Sequence, residues 1–510
     1  MSVWNLIDGI STYSLQQLRD YGIVTGMISD ELTGLFGTET LSDMAHIIHM
    51  YDIYQNGADF TADSTGDYTP SRLNFKYIKE LIDKEARFLF SASPDIRVES
   101  KDLTQKDSTE TNQELLEAVL KQNKFSSKLV RAARDYLIGK RIAIALNVNE
   151  TDGITISFVP SLEFVYETDP TNVDKIVKFI QFYSTVVNDD ALQQRIYKKK
   201  WFVDESGYIV VNEGLYDGNG DLIEEIMPDT ITEFKRIPVA VVINGGLTGD
   251  PFGVSDVEYL QDTESIYSKL SSKDIDSLRK GMDQIVVLMD VNPHTSSGLS
   301  RAAGALWDLS SDPASEGKTG SANTLDNSMT YSGALDTTLE RLKVSMYGAL
   351  DIPDTSNEGI QGIITSGKAM RAVYWGLITR CNEKMLDWKP AFEFIVDEIM
   401  HAATYYPNVG NMYVEVSNLS EEYNVVVDNN YPILEDELEE KDADRSDVVS
   451  QTMSRKAYMK KWRELTDEEA EEELNQIALE AQMFSEMNMG YPAPNEISNA
   501  EGNELKDEAD

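Results

Sequence analysis

SDVEYLQDTESIYSKLSSKDIDSLRKGMDQIVVLMD, residues 255–290, changes its hydrophobic period once. In the first part Val257, Leu260, Tyr267, Leu270 and Leu278 recur near helical spacing. They predict a helix from Val254 to Lys280 of roughly 25 residues, or ~40 Å at the α-helical rise. The run QIVVLMDV that follows is continuous and β-branched, which predicts a strand. A second amphipathic run from Leu335 to Leu350 places Leu335, Leu339, Leu342, Met346 and Leu350 on one face, in an i, i+4, i+7 pattern. Between the two lies an insert rich in Gly, Ser and Asn, residues 292–332. Two long helices thus carry a smaller irregular module at their tip.

On the C-terminal side, IPDTSNEGIQGIITS (Ile352 to Ser366) is a loop between strong helices. Lys368 to Tyr405 is predicted helical, kinked or split at Pro390. Tyr413–Val416 and Tyr423–Asp428 are expected strands. Thr466-Asp467-Glu468-Glu469 is a capping box that opens a helix over Ala470 to Phe484. Residues 487–510 are expected to be disordered. On the N-terminal side, Met44, Ile47, Ile48 and Tyr51 fall on one face of a helix within 42–54. Leu73, Tyr77, Leu81, Ile82 and Phe88 predict a helix from Ser71 to Phe90, ended by Pro94, and Asn112 to Leu137 reads as further helix. Short β-rich runs at Ile142–Val148, Thr155–Pro160, Lys175–Val187, Tyr197–Phe202 and Tyr208–Val211 make the middle third mostly antiparallel sheet, and Asp217-Gly218-Asn219-Gly220 is a hairpin turn. The expected fold class is α+β, predominantly helical. No internal repeat is present.

The chain has 510 residues, 41% of them apolar and 26% charged, which is the composition of a folded protein long enough for several units. Its formal net charge of −43 disfavours tight gripping of phosphates, because that requires a basic surface. It suits a surface past which a polyanion slides. One cysteine, Cys381, excludes an intrachain disulfide and a thiolate metal site. No stretch approaches the 18 or so apolar residues that span a bilayer.

Candidate chemistry is sparse. Gly317-Lys318-Thr319 imitates the end of a phosphate-cradling loop, but Asp312 stands where the first Gly belongs and strand-loop-helix context is missing. Asp217, Asn219 and Asp221 imitate a calcium loop, yet Leu222 replaces its Gly and Pro228 its Glu. His46 and His49 lack a third ligand. Cys381 reads as packing. No catalytic residue, cofactor site or metal site is expected.

Four segments, in order, resemble the portal proteins of tailed bacteriophages with long non-contractile tails. They are LIDKEARFLFSASPDI (Leu81 to Ile96), RIPVAVVING with residues 255–290, LDIPDTSNEGIQGIITSGKAMRAVYWGL (Leu350 to Leu377), and SRKAYMKKWRELTDEEAEEELNQIALE with its acidic sequel. The third is the most specific, and together they cover about two-thirds of the chain.

The resemblance implies a non-enzymatic, head-to-tail connector ring of about twelve subunits around an axial tunnel. It implies a wing (1–253 and 367–430), stem helices (254–280 and 335–351), a clip (281–334), a tunnel loop (352–366), a crown (431–486) and an acidic tail (487–510). Asp354, Thr355, Ser356, Asn357, Glu358, Gln361 and Lys368 would face DNA, while Leu335, Leu339, Leu342, Met346 and Leu350 would pack the stem. The implied partners are further copies of the chain, viral dsDNA, the terminase large subunit, major capsid and scaffolding proteins, and a head-completion adaptor, with no membrane. The implied place is the capsid vertex of the virion, and the host cytoplasm during assembly. The alternatives are another phage connector or scaffold-like protein, and a nucleotide-dependent packaging enzyme using Lys318.

Overall fold

The computed structural model describes residues 43–60, 69–101, 109–186, 195–217, 221–247, 250, 252–282, 285–291, 311, 319–325, 330–355, 367–432, 437–463 and 465–487. They form an α+β structure, about half of it helical. The chain divides into two compact units, one of residues 1–362 with 373–432 and one of 363–372 with 433–510.

The first unit is organised around α8, Trp375–Tyr405. Its buried residues Leu377, Cys381, Met385, Trp388, Phe392, Ile395 and Ile399 repeat every three or four positions, so one stripe lies in the core. Trp388 is fully buried and meets Phe90 and Tyr136 edge-on, at ring separations of 4.9 and 5.3 Å. Phe90 ends α2 (Tyr77–Phe90), and Tyr136 comes from α4 (Phe125–Gly139), which follows α3 (Glu110–Gln122). Helix α1, over 43–56, adds Met44, Ile47, Ile48 and Tyr51 to the core. Asp43 binds it to Arg141 at 2.7 Å.

Two antiparallel sheets complete this unit. One has the order β3–β2–β9, from β2 (Arg141–Asn149), β3 (Gly153–Pro160) and β9 (Val239–Ile243). The other is a meander of β4 (Phe164–Asp169), β5 (Asn172–Val186), β6 (Arg195–Val203), β7 (Ile209–Tyr216) and β8 (Leu222–Ile231). Asp217 and Asp221 close its last hairpin, the Asp217 N–H donating to the Asp221 carbonyl at 2.9 Å. The middle of the chain is antiparallel sheet, as its alternation predicts. A further ribbon pairs β1 (Asp95–Ser100) with β12 (Tyr423–Asp428), more than 300 residues apart in sequence.

Helix α5, Gln261–Met282, leads to the hairpin of β10 (Ile285–Met289) and β11 (Ser321–Leu325). Helix α6, Ser332–Ala349, returns along α5. The second unit holds α7 (Gly367–Val373), whose last residue is counted with the first unit, and then α10 (Glu437–Val449), α11 (Arg455–Arg463) and α12 (Asp467–Met487). A short α9, Pro407–Gly410, follows α8 in the first unit.

Five sequence expectations are corrected. The helix expected from Ser71 begins at Tyr77, because α5 takes the preceding backbone donors. Asp276 accepts from the Ser71 N–H at 2.9 Å, and Ser272 Oγ from the Leu73 N–H at 2.9 Å. The helix expected over 112–137 breaks at Asn123 and Lys124, where Lys124 is left-handed and Asn123 bonds the backbone of Ile154 and Ile156 instead. Helix α5 starts at Gln261, since 256–260 form turns fixed by the Asp256 N–H donating to the Leu137 carbonyl at 2.9 Å. Pro390 does not split α8, which runs on with Trp388, Ala391 and Phe392 packed on either side of it; the break falls at Tyr374. Residues 413–416 are not a strand: Tyr413 turns inward to accept the Ile154 N–H at 2.9 Å, and Val416–Asn418 is a 3-10 turn. The tail over 488–510 lies outside the described residues.

Candidate functional site

The segment that leaves α6 is tied back to it by a backbone hydrogen bond and an ion pair. After Ala349 the chain turns through Asp351, at φ +53, and the Ile352 N–H donates to the Tyr347 carbonyl at 3.0 Å. Leu350 and Ile352 are buried on either side of that turn. Asp354 then folds back, its carboxylate 2.7 Å from the Lys343 ammonium. That hydrogen bond raises the Lys343 pKa and keeps the side chain charged.

Tyr347 connects this turn to α2. Its hydroxyl donates to Glu80 at 3.2 Å and accepts from Lys84 at 3.3 Å, and Lys84 binds Glu80 at 2.6 Å. The Lys84 and Lys343 ammoniums lie 5.0 and 5.7 Å from the Tyr347 ring centre, within cation–π range. On the return side, a Cβ at Gly376 would stand 3.1 Å from the Asp351 Cβ, so α8 passes the turn at close quarters.

Of the residues expected to face DNA, Asp354 is engaged with Lys343, and Thr355 is exposed. Ser356, Asn357, Glu358 and Gln361 lie outside the described residues, and Lys368 is in α7 with its side chain outside them. On α6, Leu335, Leu339 and Leu342 are half-buried, whereas Met346 and Leu350 are buried. Thr319 leads into strand β11, where a phosphate-cradling loop needs a helix, and Gly317 and Lys318 lie outside the described residues. Cys381 is buried, and burial pushes its thiol pKa up. No group of three or more metal-binding side chains occurs among the described residues.

Sequence reasoning missed a buried ionic cluster where α2, α8 and the turn before α5 meet. Arg380 reaches Glu85 at 2.8 Å and Asp256 at 3.1 Å, and Lys384 reaches Asp256 at 2.8 Å and Asn244 Oδ1 at 2.8 Å. Burial and the nearby Asp256 carboxylate push Glu85 up to about 7. Burial also opposes ionisation of Asp256, but Lys384 and Arg380 outweigh it and hold its pKa below the usual value. A polar cavity of about 180 Å³ adjoins, lined by Tyr259 and Asp387 besides the cluster. The cluster was legible in one respect: Glu85 and Lys384 interrupt otherwise apolar helical faces. Glu264 is buried as well, and its two oxygens accept from the Ala58 and Ile78 N–H groups at 3.0 and 3.3 Å, anchoring the start of α5.

These features define a structural protein whose paired helices are rooted in a core by buried charge and carry an anchored turn at their base. A family model described as phage portal protein, SPP1 Gp6-like, matches residues 38–487, and the chain belongs to that family. It is a phage portal protein, structural and not an enzyme. No curated protein matches the chain. Among the described residues, no helix is long and apolar enough to cross a membrane.

Proposed function

We propose that the chain forms a closed ring of about twelve copies at one capsid vertex, through which viral dsDNA enters and leaves. The family match over residues 38–487 carries this reading. In it, α5 and α6 are the stem, the β10–β11 hairpin with its insert is the clip that meets the terminase motor and the adaptor, and α10 to α12 belong to the crown. The first unit supplies the wing, facing capsid and scaffolding proteins. The segment after Asp354 is the tunnel loop, and Lys343, Asp354 and Tyr347 hold its base rather than touch DNA.

Negative-stain electron microscopy of the purified chain, with mass measured in parallel, tests this. Rings with a central hole and a mass near twelve copies are expected. A monodisperse small oligomer would overturn it.

A further inference from the structure

In the second unit a basic helix is covered by acidic neighbours. Helix α11, RKAYMKKWR, has five basic residues among nine, in a chain with 45 basic and 88 acidic side chains. Lys456 lies 2.7 Å from Glu471 and 3.2 Å from Asp467, and Lys460 lies 2.9 Å from Asp467. Arg463 pairs with Glu473 at 3.0 Å. From the other side, Asp444 of α10 accepts from Lys461 at 2.8 Å and from the Trp462 indole N–H at 2.8 Å. Arg455 is exposed.

Little apolar burial accompanies these pairs. Among the described residues of α10 to α12, the buried apolar ones are Met459 and Ala470. The capping box opens α12, with the Thr466 N–H donating to Glu469 at 2.9 Å, so its acids Asp467, Glu471 and Glu473 are presented by a preformed helix. Exposed ion pairs are individually weak and screened by salt. A duplex offers a denser row of negative charge than these carboxylates, and its binding releases counterions. Exchange of phosphates for carboxylates on α11 is therefore feasible without disturbing a core.

We propose that α11 is a latent binding surface for the duplex DNA backbone, masked by Asp444, Asp467, Glu471 and Glu473 and uncovered when those carboxylates are displaced. The inference rests on the helix pairs alone and goes beyond the channel reading. It gives an acidic chain a conditional grip on DNA outside any tunnel.

The test uses covalently closed circular duplex, which has no end to thread into a ring, so failure of the channel reading and failure of this one are distinguishable. The full chain is compared with the D444N/D467N/E471Q/E473Q variant by fluorescence anisotropy at 50 and 200 mM salt. The expected gain at low salt is at least about tenfold, with a salt slope of about −3 to −4, as for four phosphate contacts. Adding K456Q, K460Q and K461Q should abolish the gain. A control removing four acids of the first unit, Glu224, Glu225, Asp229 and Glu233, should gain less than about twofold if local masking and not net charge is responsible. An equal gain in that control overturns the proposal, as does no gain in a variant that keeps its helical circular dichroism. Should the fourfold variant lose helix, D467N and E471Q singly carry the test: a gain of about threefold is expected of each, and none in either refutes masking.

Discussion

At Glu85 a carboxylate is fully buried beside Asp256, Arg380 and Lys384, and its pKa is raised to about 7. The folded state therefore binds a proton more readily than the unfolded chain. Between about pH 4.5 and 7 this group makes stability fall as pH rises. Asp256, with its pKa lowered, acts in the opposite sense in a more acidic window: its contribution is present above its unfolded value and is lost as pH falls through the folded one. Glu85→Gln should flatten the upper slope in urea unfolding measured from pH 5 to 8, while Glu85→Ala should cost about 1–3 kcal/mol, because Arg380 loses its bond to Glu85 while Asp256 still pairs with Arg380 and Lys384. An unchanged slope in Glu85→Gln would mean that another carboxyl carries it. The Lys343–Asp354 pair is less buried, so a double-mutant cycle of Lys343→Gln and Asp354→Asn should give a coupling of about 0.5–1 kcal/mol in thermal unfolding. A coupling near zero would remove the anchor assigned to it.

Along α6 the burial is graded. Leu335, Leu339 and Leu342 are half-buried, and Met346 and Leu350 have no exposure in the single chain. The sequence pattern alone treats all five as equivalent, because periodicity reports the face and not what covers it. Leu350→Ala is expected to cost about 2–5 kcal/mol in the dissociated chain, and Leu335→Ala less than about 1.5 kcal/mol. Denaturant midpoints with unchanged m-values would measure both. If Leu335→Ala impairs ring formation far more than chain stability, the half-buried end of the stripe is completed by a neighbouring copy.

For the whole molecule the dominant quantity is the net charge of −43. A ring of about twelve copies would bring on the order of −500 formal charges together. Screening shortens that repulsion to within about 10 Å near 0.1 M salt. The ring fraction in sedimentation velocity should therefore rise between 50 and 300 mM salt. A fall would indicate that ion pairs between copies outweigh the general repulsion.

Periodicity determined much of this protein without help from the fold: the paired helices on either side of a strand and insert, the antiparallel middle, the β12 strand and the Thr466–Glu469 cap. Each is a local pattern whose physical basis, side-chain repeat or capping geometry, lies within a few residues. Only the tertiary structure decided where α2 and α5 begin: Asp276 and Ser272 take the backbone donors before α2 from about 200 residues away, and the Asp256 N–H before α5 is bound to the distant Leu137 carbonyl. The same holds for the base of the loop. The resemblance implied Asp354 as a residue facing DNA, and only the fold shows its carboxylate beside Lys343. The ionic cluster of Glu85, Asp256, Arg380 and Lys384 likewise joins residues that no local pattern connects, since a charge is stable in a core only where the fold brings its partner.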